Sequence, residues 1–331
     1  MRRVDSVVKT MIAQEVYRLT ATIKKILESL QVTPGKKIDL RRDYDPGYTG
    51  NFMSKQDAEE TTAAGIRLLA EQQDKLYAQN TYAVLIILQA LDAAGKDSTI
   101  KHVMSGVNPM GVQVTSFKVP SAEELDHDYL WRSCVALPRR GNIAIFNRSW
   151  YEEVLVVRVH EEYLGRQQLP PLLNDRDIWS RRFREINNFE RYLTDNGIII
   201  LKFFLNVSKE EQKRRFLERV EEPDKNWKFS AADIDERAFW DDYMDAYEEM
   251  FNTTSTSYAP WYIIPADHKW FTRLAVVSAI HDTLDRLRLA YPEVTPQQKE
   301  GLLAAKAKME QENGDTDAGK KKDKNKSGKK S

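Results

Sequence analysis

Cys134 is the only cysteine in 331 residues. That excludes an intrachain disulfide and any zinc site built on several cysteines of one chain, and it suits a reducing compartment. No apolar run reaches the roughly 18 residues needed for a membrane-spanning helix, and the start of the chain lacks a signal-type hydrophobic stretch. A cytoplasmic protein with no membrane partner is the expectation. Net charge is lacking as well, with 50 basic residues against 50 acidic ones, so no specific nucleic-acid partner is expected. The balance hides an asymmetry: residues 313–331 hold seven lysines against Asp315, Asp317 and Asp323. This tail has no large apolar residue and should be disordered, serving as a solubilising terminus or as a weak electrostatic tether for a polyanion.

What is present is enough apolar sequence, 41% of the chain, for one large α/β core with appendages. The expected division is a helical N-terminal extension over 1–45, a core over 46–292, and the charged tail over 293–331. Helical apolar spacing runs from Met1 to about Leu30. A second helix is predicted from Lys55 to about Gln79, with Ile66, Leu68, Leu69 and Leu76 as its buried stripe. Strand candidates are Tyr82–Gln89, Val112–Phe117, Asn142–Phe146, Ile198–Leu205 and Trp261–Ile264, each separated from the next by helical sequence. Such alternation predicts a parallel five-stranded sheet with helices on both faces.

The first strand runs into Ala90-Leu-Asp92-Ala93-Ala94-Gly95-Lys96-Asp97-Ser98-Thr99. A strand, a glycine-lysine loop with hydroxyls after it and then a helix is the pattern that cradles phosphate on backbone N–H groups, with the lysine adding a mobile positive charge. Alanine stands at position 90 where the general pattern has glycine. If that position required positive φ, alanine would cost roughly 1–2 kcal/mol. An ordinary βα turn can also carry a Gly-Lys pair, so further constellations must decide.

One follows the third strand: Asn147-Arg148-Ser149-Trp150-Tyr151-Glu152-Glu153. An acidic residue that orients a metal commonly ends this strand in phosphate-loop enzymes. Here it is Asn147, which moves the charge to Asp92, with Glu152 or Glu153 in reserve. Arg148 offers a planar fork suited to bridging phosphoryl groups; capping the next helix is a compatible role for the same residues. Another constellation follows the fourth strand, where Ser208 and Glu211 form a plausible capping box for a helix carrying Lys213, Arg214, Arg215 and Arg219, before Lys225-Asn226-Trp227-Lys228. Such a run is either a solvated face or a basic lid, at about 206–232, that closes over a polyanion and excludes water.

Asp92 to Asp97, Ile100 to Pro109, Ser116 to His127, Phe146 to Tyr151 and Lys225 to Lys228 together resemble the polyphosphate kinase 2 family, over about Ile38 to Leu287. The resemblance implies a thymidylate-kinase-like P-loop kinase fold with a helical lid. It implies reversible phosphate transfer between inorganic polyphosphate and AMP, ADP or ATP, with Mg²⁺ or Mn²⁺. On this resemblance Asp92 and Asn147 correspond to the metal-binding pair, Lys96 to the loop lysine, Arg148 to the arginine after it, and Arg158 to a further phosphate-contacting arginine. The stretch Asn147 to His160 resembles the branch that phosphorylates AMP as well as ADP, and members are commonly homo-oligomers, dimers or tetramers. Ala90, Ser98 and Met110 depart from the common pattern. Direct in-line transfer is expected, since a nucleotide phosphate oxygen is already ionised and needs no strong base. The rivals are an ATP-dependent nucleoside or nucleotide kinase and a non-catalytic polyanion-binding protein.

Overall fold

A computed structural model describes residues 23–50, 54–228, 230 and 232–326. The expected helix from Met1 lies outside these residues as far as 22, and 23–30 are helical. Contacts divide the chain into a unit ending at Ala290 and a second from Tyr291.

Five strands form the centre of the first unit: β1 (Ala83–Gln89), β2 (Val112–Ser116), β3 (Ile143–Asn147), β4 (Ile198–Asn206) and β5 (Trp261–Pro265). They are ordered β2-β3-β1-β4-β5, and every neighbouring pair is parallel. The expected α/β architecture is therefore present. Parallel strands need long crossovers. Among those supplying them are α2 (Lys96–Val103), α3 (Ile178–Asp195), α4 (Lys209–Glu221) and α5 (Trp240–Thr254), while α1 (Lys55–Gln79) precedes β1 and α6 (Lys269–Arg286) follows β5.

Alternation along β1 separates two apolar layers, as the period-2 geometry of a strand requires. Val84, Ile86 and Leu88 join Leu69 and Leu76 of α1 and Leu274, Val277 and Ile280 of α6 in one cluster. Leu85 and Ile87 join Phe183 and Ile186 of α3 and Tyr247, Met250 and Phe251 of α5 in the other. Both faces are covered, so β1 is buried at every position and reads as a continuous apolar run.

Helix α1 begins on a Ser54–Asp57 capping box and stops at Asn80 in the left-handed region. Its buried stripe is Ala58, Thr62, Ile66, Leu69, Gln73 and Leu76. Leu68 does not belong to it, at 41% exposed, because two residues after Ile66 a side chain has turned about 200° around the axis.

The second unit contains α7 (Pro296–Lys326). Its Ala, Leu, Lys, Met, Gln and Glu residues between 302 and 311, ahead of the lysine-rich stretch, are strong helix formers. No helix among the described residues is long and apolar enough to cross a membrane.

Candidate active site

Register puts the end of β3 beside the end of β1, with Leu88 opposite Asn147 and Arg148 N–H donating to Leu88 O at 3.0 Å. The loop after Gln89 and the turn after Asn147 thus open at the same sheet end, where order reverses on either side of β1. That is the usual ligand position in open α/β sheets.

Within the loop, positive φ falls on Ala93 (60°) and Gly95 (109°) and not on Ala90. The absent glycine at 90 therefore introduces no left-handed strain; any strain lies at Ala93. Gly95 is the N-cap of α2, and an added Cβ would sit 3.3 Å from Ser98 Oγ. Lys96 folds back on its own loop, donating to Ala90 O at 2.7 Å and Leu91 O at 3.4 Å. Ser98 Oγ donates to Gly95 O at 2.9 Å, and Thr99 is buried.

Charge is concentrated around Arg148, itself at φ 65°. Its guanidinium lies 2.9 Å from Asp92 Oδ1 and 3.5 Å from Glu152 Oε2. Glu152, followed by Asp92, raises the Arg148 pKa against the effect of burial. Burial opposes ionisation of Asp92, but Lys96 and Arg148 outweigh it and hold the carboxyl below its usual range. For Lys96 burial is the larger influence, with Arg148 adding to it, and the ammonium is brought down to about 8. Asn147 Nδ2 donates to Asp97 Oδ1 at 2.7 Å; a carboxylate at 147 would face Asp97 as a like charge. Of the two reserve acids, Glu152 faces the site, with Gln89 oriented to donate to its Oε1 at 2.8 Å. Glu153 turns away into a buried pair with Arg182, 3.0 Å distant.

The basic residues expected in the lid separate into different environments. Lys213 is exposed. Arg214, also exposed, is clamped between Glu211 and Glu218. Arg215 is not on the open side: it is 5% exposed, because its donors go to Glu211 and to backbone carbonyls of the loop. The capping box is half formed, with Glu211 N donating to Ser208 Oγ at 3.1 Å while the Glu211 carboxylate is drawn to the arginines. Lys228 has a side chain outside the described ones. Arg158 pairs with Glu249 at 2.5 Å.

Two participants were not singled out from sequence, Gln212 and Asp233, and Arg219, already named on the lid helix, joins them. Gln212 Nε2 donates to Asp92 O at 2.9 Å. Arg219 lies 3.6 Å from Asp233, and its charge helps to lower Asp92. The Asp233 carboxyl is pushed up by burial and then by Asp92. Arg219 had a signal, since it shares a helical face with Arg215 at i, i+4; Asp233 reaches the site only through tertiary folding.

Beside Arg148 opens a cleft of about 220 Å³. Phe117, Val119, Pro120, Trp150, Val156 and Tyr163 form apolar walls, with Arg148 and Glu152 also lining it. Such a space suits a flat heterocycle with a charged group directed at the arginine.

Comparison with known proteins follows the same line. A family model described as Polyphosphate kinase 2 matches residues 52–291. An ADP-polyphosphate phosphotransferase of Rhodopseudomonas palustris is 49% identical over 286 residues, covering 85% of this chain and 98% of that protein. An AMP/ADP-polyphosphate phosphotransferase of Meiothermus ruber is 46% identical over 268 residues, covering 81% and 96%. A crystal structure of polyphosphate kinase 2 from Arthrobacter aurescens TC1 superposes with a TM-score of 0.76 at 40% identity, covering 85% of this chain and 96% of that one.

Proposed function

The chain belongs to the polyphosphate kinase 2 family, and we propose that it moves the terminal phosphoryl group of inorganic polyphosphate onto ADP, and onto AMP, by direct in-line displacement. The observation that carries this reading is the Asp92–Arg148–Glu152 array at the mouth of the loop, beside an apolar cleft. Near-full-length relatives named for ADP and for AMP/ADP support the two acceptors.

Polyphosphate would lie against the loop and the N-terminus of α2. Lys96, now hydrogen-bonded to carbonyls of its own loop, would exchange them for phosphate oxygens. Arg148 is held by a carboxylate on each side, so its fork is oriented before substrate arrives and little ordering remains for the moment of transfer. The cleft would hold the base and ribose of the acceptor and aim its terminal oxygen at the scissile anhydride. Arg158 and the exposed lid residues Lys213 and Arg214 would flank the chain.

Mg²⁺ or Mn²⁺ fits the oxygen donors that Asp92 and Asn147 offer. Among the described residues no three His, Cys, Asp or Glu side chains form a ligating cluster; that suits an ion that takes one or two protein oxygens and otherwise phosphate and water. Bound there, the ion would neutralise charge developing on the phosphoryl oxygens. A dimeric or tetrameric assembly belongs to the same reading, and light scattering on the purified protein tests it.

The reaction is tested with purified protein, long-chain polyphosphate, Mg²⁺ and AMP in the absence of ATP. ADP followed by ATP is the expected result. ATP only when ADP is supplied would remove AMP as an acceptor. Nucleotide phosphorylation with ATP as donor and none with polyphosphate would replace the proposal with an ordinary nucleotide kinase.

A further inference from the structure

Every carbonyl from Ala90 to Gly95 is occupied by a donor of the protein itself. Lys96 takes those of Ala90 and Leu91, and Ala94 N–H also reaches Leu91 O at 3.3 Å. Gln212 takes Asp92 O at 2.9 Å. Arg215 Nη1 takes Ala93 O at 3.1 Å and Ala94 O at 2.8 Å. Thr99 N and Ser98 Oγ take Gly95 O at 3.0 and 2.9 Å. The middle three carbonyls are thus held from α4, the first helix of the lid.

Arg215 is anchored on the other side as well. Its Nη2 donates to Ala266 O at 2.6 Å and Asp267 O at 3.3 Å, just past β5, and its Nε to Glu211 Oε1 at 2.7 Å. Peptide units are planar and trans, so a carbonyl held toward α4 turns the next residue's N–H to the opposite side. With Asp92 O and Ala94 O held, the N–H groups of Ala93 and Gly95 are directed away from α4. Ala93 at φ 60° is a conformation that alanine keeps only where its surroundings over-determine it.

Resting on the function proposed above, we propose that Arg215, with Gln212, is a positioning residue for phosphoryl transfer: it fixes the peptide planes of the phosphate loop rather than touching polyphosphate. The base of the lid helix and the loop then move as one piece, and lid closure is confined to the chain beyond Arg215.

The test uses the full-length chain with Arg215→Lys, which keeps the charge but loses the fork, and Gln212→Met, which keeps the volume but loses the donor to Asp92 O together with the acceptor for Arg237. Steady-state transfer from polyphosphate to ADP is measured with thermal melting as a control. The expected result for each is a loss in kcat, reaching roughly 10²-fold for Arg215→Lys, with KM for polyphosphate within about twofold and a melting transition that is lowered but stays cooperative and above the assay temperature. In Arg215→Ala, added methylguanidinium should restore part of kcat, and ammonium should not. A rise in KM for polyphosphate with kcat retained would overturn the proposal and return Arg215 to direct contact. Unchanged kcat and KM in both variants would overturn it too. Absence of transfer by the unsubstituted protein would instead sink the function itself.

Discussion

Lys96 is where burial and charge oppose each other most directly. Its ammonium is brought down to about 8 by burial and by Arg148, against the pull of Asp92. The protonated form is the one that attracts phosphate, so kcat/KM for polyphosphate should fall as pH rises through about 8. Bound polyanion favours the charged form, so the fall in kcat should come at higher pH; coincident profiles would contradict this. Lys96→Ala and Asp92→Ala should each lower transfer by roughly 10²-fold or more while leaving the circular dichroism spectrum unchanged. The two loop alanines should respond oppositely to expectation from motif alone. Ala90→Gly only adds chain entropy and should destabilise by about 0.5–1 kcal/mol, whereas Ala93→Gly also relieves roughly 1 kcal/mol of left-handed strain and should be near neutral. Urea titration distinguishes the pair. Asp92, Lys96, Asn147 and Arg148 were legible in the sequence because strand ends place them by local geometry. Arg215 was legible as a basic residue but not in its direction, because the carbonyls it meets come from a loop some 120 residues earlier.

At the scale of elements, most strands were legible as largely apolar runs, β2 (Val-Gln-Val-Thr-Ser) being the polar exception, and their ends agree with expectation to within a residue. What the runs could not reveal is how a charge inside one is matched. Lys202 in β4 is fully buried, with Nζ 2.7 Å from Glu190 of α3, 2.9 Å from Tyr151 Oη and 2.8 Å from Thr254 O. A lysine amid Ile, Leu and Phe signals a partner without naming it. The contact ties β4, α3, the end of α5 and the turn three residues past Arg148. Lys202→Met should destabilise by about 3–5 kcal/mol by stranding the Glu190 carboxyl, while Lys202→Met with Glu190→Leu should recover much of that loss. Chemical denaturation of the single and double variants measures the difference; equal stability would show that Glu190 is satisfied without the lysine.

For the whole molecule, both apolar clusters and the residues packed against them end by Leu289, before the second unit begins at Tyr291. A chain that lacks 291–331 therefore tests what the lysine-rich end contributes. If the lysine-rich end acts as a tether, deletion should weaken polyphosphate capture at low ionic strength, an effect lost in about 1 M salt, where the Debye length is near 3 Å. Titration calorimetry at two salt concentrations reads this. The strand order carries a different consequence, for biosynthesis. The central strand β1 is complete at Gln89, yet its two neighbours end at Asn147 and Asn206. At 5–20 residues per second, the ribosome takes roughly 6–25 s more to supply them. Until β3 is made, roughly 3–12 s into that interval, Ala-Val-Leu-Ile-Ile-Leu-Gln has no neighbouring strand to pair with, and its apolar side chains are open to other chains.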